Sequence, residues 1–175
     1  MKKFLLVLLA IIIFILPIGN YAYTIIQGIK FDTQCGNYLK LSADANSLEM
    51  AEKHLSKAIN YLEKNNLTSG YNKVFFYYPK NDIGLWYENL KSAQLQLQEV
   101  IKRENYTELD ESNMLMKLRE TILDSGENGQ YLTLPLGISL MEHFNLIWWL
   151  NWLMWIFWII FIIYIVWLCC EWHYL

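Results

Sequence analysis

The sequence predicts an all-α membrane protein, with two transmembrane helices flanking a mainly α-helical, three-helix extracytoplasmic domain that includes a small β-hairpin element. Three observations predict it. The 175 residues are 55% hydrophobic and only 18% charged, and the apolar residues crowd the two ends. Basic residues lie before the first apolar run and are absent after the last one. The middle has ordinary globular composition and contains three stretches with helical periodicity.

Residues 1–3 (Met-Lys-Lys) form a cytoplasmic N-terminus in this reading. Phe4 to Leu16 are thirteen apolar residues without interruption, and the run continues to Ile26. Residues 4–26 are therefore long enough for a first span, since crossing takes about 20 helical residues. The rival is a cleaved signal peptide, with a basic start, an apolar core and a break at Pro17 and Gly19. Cleavage after Ala22 would put Asn20 where a small side chain is wanted, so an uncleaved signal anchor is favoured. Pro17 should kink or end the helix.

Residues 144–168 form the second span, because Leu146 to Leu168 contain no charge and one amide, Asn151. Residues 169–175 are then a cytoplasmic tail. Lys2 and Lys3 precede the first span, and the tail has no Lys or Arg, so the positive-inside rule puts residues 27–143 outside. The chain is expected to be an integral, two-pass protein of a cell or inner membrane.

The middle carries twelve basic and sixteen acidic side chains, which excludes a basic nucleic-acid binder. A first helix, capped by Ser42 or Asp44, places Leu48, Ala51, Leu55, Ala58, Ile59 and Leu62 on one face. A second runs from Ile83 to Arg103 with a stripe of Trp86, Leu90, Ala93, Leu97, Val100 and Ile101. A third opens at Thr107–Asp110, a capping box with Asp in place of Glu, and carries Met114, Leu115, Leu118 and Ile122. None of the three can bury its stripe alone, so they should pack as an antiparallel bundle. Tyr71–Tyr78 and Tyr131–Ile138 are the two candidates for the strands of the hairpin, with Pro135 confining the second to an edge.

The sequence offers no catalytic constellation. It has no Gly-rich phosphate loop, metalloprotease helix motif, C-x-x-C or nucleophile elbow, and no EF-hand spacing among Asp110, Glu111, Asp124 and Glu127. His54 reads as a boundary histidine satisfied by solvent or a neighbour. Cys35 reads as a buried thiol or as a half of a bond to another chain. Cys169, Cys170 and His173 form a C-C-x-x-H cluster that reads as a pair of reduced thiols at a helix end rather than as metal ligands, with lipidation of the cysteines as the alternative. No cofactor, metal or catalytic residue is expected.

Two features rise above the background. Trp149, Trp152, Trp155 and Trp158 recur every third residue beside Asn151, whose amide would be costly against lipid. Asn151, Trp152, Trp155 and Trp158 are the candidate helix-pairing residues. Phe75, Phe76, Tyr77, Tyr78 and Trp86 are the candidate contact surface of the middle domain. The expected function is a non-enzymatic, membrane-anchored accessory or scaffold protein that presents a helical domain to a partner. Its partners would be the lipid bilayer and another membrane protein or further copies of itself, with no nucleic acid. The alternatives are a small-molecule or ion sensor acting through a partner, and a membrane-active oligomer such as a pore or exclusion factor.

Overall fold

The computed structural model describes the backbone of residues 2–71, 78–103, 105–126 and 129–173. Side chains are described throughout these except at 2–14, 16, 126, 141–148 and 165–173. The chain forms two compact units, Gln27–Met141 and the pair Met1–Ile26 with Glu142–Leu175.

The unit Gln27–Met141 holds every buried apolar side chain among the described residues. Helix α1 (Lys2–Phe31) ends in a single π turn, Asp32–Gly36, that leads into α2 (Asn37–Ala43). Phe31, Cys35, Leu39 and Ala43 are all buried, one at every fourth residue. On a regular α-helix that spacing drifts by about 40° a step. The wider π turn absorbs the drift and keeps the four on one line.

Helix α3 (Leu48–Lys64) is capped by Ser47, whose side chain accepts from the Met50 amide at 3.3 Å. All six residues of its predicted stripe are buried, Leu48, Leu55 and Leu62 completely. Each such leucine contributes about 1.5–3 kcal/mol relative to an exposed one. Helix α4 (Ile83–Ile101) starts at Asp82, which caps the Leu85 amide at 3.0 Å. It buries Leu90, Ala93 and Leu97, and leaves Trp86, Val100 and Ile101 half-buried. Helix α5 (Glu108–Ile122) has a complete capping box: Thr107 accepts from the Asp110 amide, and Asp110 accepts from the Thr107 amide.

The packing joins α2 to α3, α3 to α4, α4 to α5, and α5 back to α2. This ring of four replaces the expected three-helix bundle. The fourth member, α2, is seven residues long, too short for its periodicity to stand out before the π turn is known.

The hairpin also differs from the expectation. Strands β1 (Leu123–Gly126) and β2 (Gly129–Leu132) pair antiparallel, with Leu123 opposite Leu132 and Gly126 opposite Gly129. Gly129 has φ +108°, which glycine adopts without strain. The third helix therefore stops at Ile122, and the turn signals that follow it close a hairpin. Among the described residues Tyr71 pairs in an isolated bridge with Asp82, and Pro135 lies past β2. The rest of the expected first strand, 72–77, lies outside the described residues.

Helix α6 (Phe144–His173) and the first part of α1 make up the other unit. Among the described residues no helix is long and apolar enough to cross a membrane. This overturns the expectation of a two-pass, signal-anchored integral membrane protein with an extracytoplasmic middle. In α1 the physical reason is composition: from Ile15 on, its described residues are interrupted by Pro17, Gly19, Asn20, Thr24, Gln27 and Gly28.

Candidate functional site

A surface cleft of about 590 Å³ opens between α4 and α5. Antiparallel packing sets its two walls. Leu85, Trp86, Asn89 and Gln96 face it from α4, and Met114 and Lys117 face it from α5. Leu90 and Ala93 are the small and apolar residues at its floor, and Leu134, just past β2, closes one side. These spacings along α4 follow its second stripe, one step round from the core residues.

Polar groups gather at one end. Lys117 Nζ donates to Gln96 Oε1 at 2.8 Å, crossing from α5 to α4. Beyond that bond lies a smaller hollow of about 180 Å³, lined by Val100, Arg103, Tyr106 and Asp110, which shares Met114 and Lys117 with the cleft. Among the described residues neither Lys80 nor Lys117 forms an ion pair. Glu120 stands on the same rim, about one helical turn from Lys117.

A second polar group ties α3 to α4. Gln94, buried, donates to Ser56 Oγ at 2.8 Å, Ser56 donates to Glu52 Oε1 at 2.6 Å, and Gln98 donates to the same oxygen at 2.9 Å. The Ser56 bond, with those of Gln98 and Gln94 behind it, holds the Glu52 carboxyl below the usual carboxylate range, against the opposing effect of burial. On the surface nearby, Tyr87 and Lys91 both donate to Glu63 Oε1. Desolvation, then the bond to Glu63, pushes the Tyr87 phenol up to about 12. The Tyr87 bond, and then that of Lys91, lowers Glu63.

The residues singled out from sequence are scattered. Asn151 has a bond within the chain: Asn20 Nδ2 donates to its Oδ1 at 2.8 Å. The half-buried residues of α6 are Asn151, Met154, Trp158 and Phe161, spaced three, four and three apart, which is one face of a helix. Trp158 meets Phe161 edge to face. Trp152 and Trp155 are exposed, at 54% and 69%. A three-residue repeat steps back by about 60° each time on an α-helix, so the tryptophan ridge reaches the Asn151 face only at its last member, Trp158. Phe75, Phe76 and Tyr77 lie outside the described residues. Tyr78 is exposed and bonds through its backbone to the Tyr71 hydroxyl, while Trp86 is half-buried in the cleft wall.

The remaining chemistry-bearing residues hold no site. Cys35 is fully buried, and burial pushes its thiol up to about 12. His54 is half-buried and stacks on Tyr38, with ring centroids 6.1 Å apart, and its Nδ1 is buried with no hydrogen-bond partner among the described residues. Among the described residues no group of His, Cys, Asp or Glu is placed to hold a metal ion. The side chains of Cys169, Cys170 and His173 lie outside the described residues. Sequence reasoning missed Lys117, Gln96 and Asn89. Their only signal was an unusually polar second stripe, readable once α4 and α5 are known to be neighbours. No family model matches the chain, and neither a curated protein nor a solved structure is similar to it.

Proposed function

We propose that this chain is a non-enzymatic accessory or scaffold protein, working through contact with a protein partner or with further copies of itself. One observation carries the reading: α6 exposes a continuous apolar surface. Leu153, Trp155, Ile156, Ile159, Ile160 and Ile163 are each about half exposed or more. A monomer in water rarely leaves so much contiguous apolar area uncovered. Asn151, the one amide of this segment, is already bonded to Asn20, so this surface offers a partner packing area rather than hydrogen bonds.

The test is gentle extraction of the full chain, its native mass, and the same measurement on Trp155→Ser with Ile156→Ser. The expected result is a stoichiometric second protein, or a multiple of 20.9 kDa, that is lost in the double variant. A single copy carrying only detergent or lipid, or a complex indifferent to both substitutions, refutes the reading.

A further inference from the structure

We infer that the cleft between α4 and α5 is a binding site for an amphiphilic monoacid, a molecule with a long apolar body and one anionic group. The cleft's volume of about 590 Å³ lies within the range of small-molecule sites. It follows α4 from Asp82 to Gln96, about 21 Å of helix, so it suits an elongated body better than a compact one. Trp86, Leu85, Leu90, Met114 and Leu134 supply the apolar contact. The thioether of Met114 adapts to a chain of varied shape.

The sign of the polar end comes from Lys117. Its ammonium points across the cleft to an amide oxygen and has no carboxylate partner among the described residues. An incoming carboxylate exchanges that neutral bond for a charge-assisted one, which is roughly twice as strong. Gln96, released from Lys117, can turn its amide N–H, which now donates to Ser92 Oγ at 3.2 Å, to the same anion. Asp82 is already engaged as the cap of α4. Glu120 sets the limit: lying about one turn from Lys117, it repels a second negative charge, so a monoacid is preferred to a diacid.

This site is separate from the apolar surface of α6, and its test separates the two. The full chain is titrated with a dansyl-labelled undecanoate and with the matching alcohol, following dansyl fluorescence. The acid should bind saturably, one per chain, and about tenfold more tightly than the alcohol. Lys117→Gln, at an exposed position, should abolish the preference for the acid. Ser92→Trp and, independently, Asn89→Trp, both exposed on α4 beside the cleft, should fill it and block both ligands while leaving the helical circular dichroism intact. Equal binding of acid and alcohol by the unsubstituted chain overturns the proposal. So does undiminished binding by the two tryptophan variants, which would put the probe on α6.

Discussion

Replacing Ser56 by alanine removes one hydroxyl that serves two bonds. Ser56 Oγ accepts from Gln94 and donates to Glu52. Gln94 is only 7% exposed, so its amide donor loses its acceptor where solvent cannot readily replace it, at a cost of about 1–3 kcal/mol. Glu52 loses its shortest bond but keeps Gln98 and partial access to water, which limits that loss to a few tenths. The single variant should therefore lose about 2 kcal/mol. In a Gln94→Leu background no donor is orphaned, and Ser56→Ala should cost about 0.5 kcal/mol. The coupling between the two sites is then about 1–2 kcal/mol. Native-state hydrogen exchange of α3 and α4 amides in the full chain measures all four corners of this cycle. Additive losses, equal in both backgrounds within about 0.3 kcal/mol, would refute the relay. The acid limb gives a second check. The folded carboxyl of Glu52 lies below its ordinary value of 4.5, so its contribution is present above that value and is lost as pH falls through the folded one. Ser56→Ala removes the largest cause of the lowering and should flatten this limb.

Two further outcomes follow from the ionisation of buried groups. Cys35, with its thiol pushed up to about 12, should resist iodoacetamide at pH 8 in the folded chain and react on unfolding. Peptide mass mapping reads this residue apart from the other cysteines, and prompt native labelling would sink the idea. Tyr87, also raised to about 12, favours folding while its phenol stays protonated. Its contribution is complete below pH 10 and lost as pH rises through the folded value. Ultraviolet titration should show Glu63→Gln lowering that value only part way, because desolvation is the larger cause; full reversion to 10 would contradict it.

The parts of the fold legible in the sequence are those where one residue's neighbours lie within two turns of helix. The stripe Leu48–Leu62 of α3 and the Thr107–Asp110 box of α5 needed nothing from elsewhere in the chain, and the structure has both. What was illegible depended on partners far away or on a broken period. The line Phe31–Ala43 has a repeated spacing of four that drifts around a regular helix and holds to one side only because of the π turn. The end of α5 at Ile122 is not marked in the sequence, and pairing with β2 is what makes Leu123 and Asp124 a strand. The apolar ends read as spans from run length and the lack of charge, with Pro17 expected only to kink or end the first, and no helix long and apolar enough to cross a membrane is found among the described residues. The cleft was invisible for a different reason. Lys117 and Gln96 are 21 residues apart and carry no motif, so only the packing of α4 on α5 brings them together.

The π turn at Asp32–Gly36 has a bearing on how this chain can vary. Thr33 and Gln34 are exposed there, and their side chains can be exchanged freely. At Gly36 a Cβ would fall 2.7 Å from Oδ1 of the exposed Asp32 side chain, which would have to turn aside. Losing either Thr33 or Gln34 would leave spacings of three, four and four from Phe31 to Ala43, about three turns of an ordinary α-helix, so the buried line would survive. The π turn is one residue of slack, and this junction tolerates a single deletion that would misalign a regular helix.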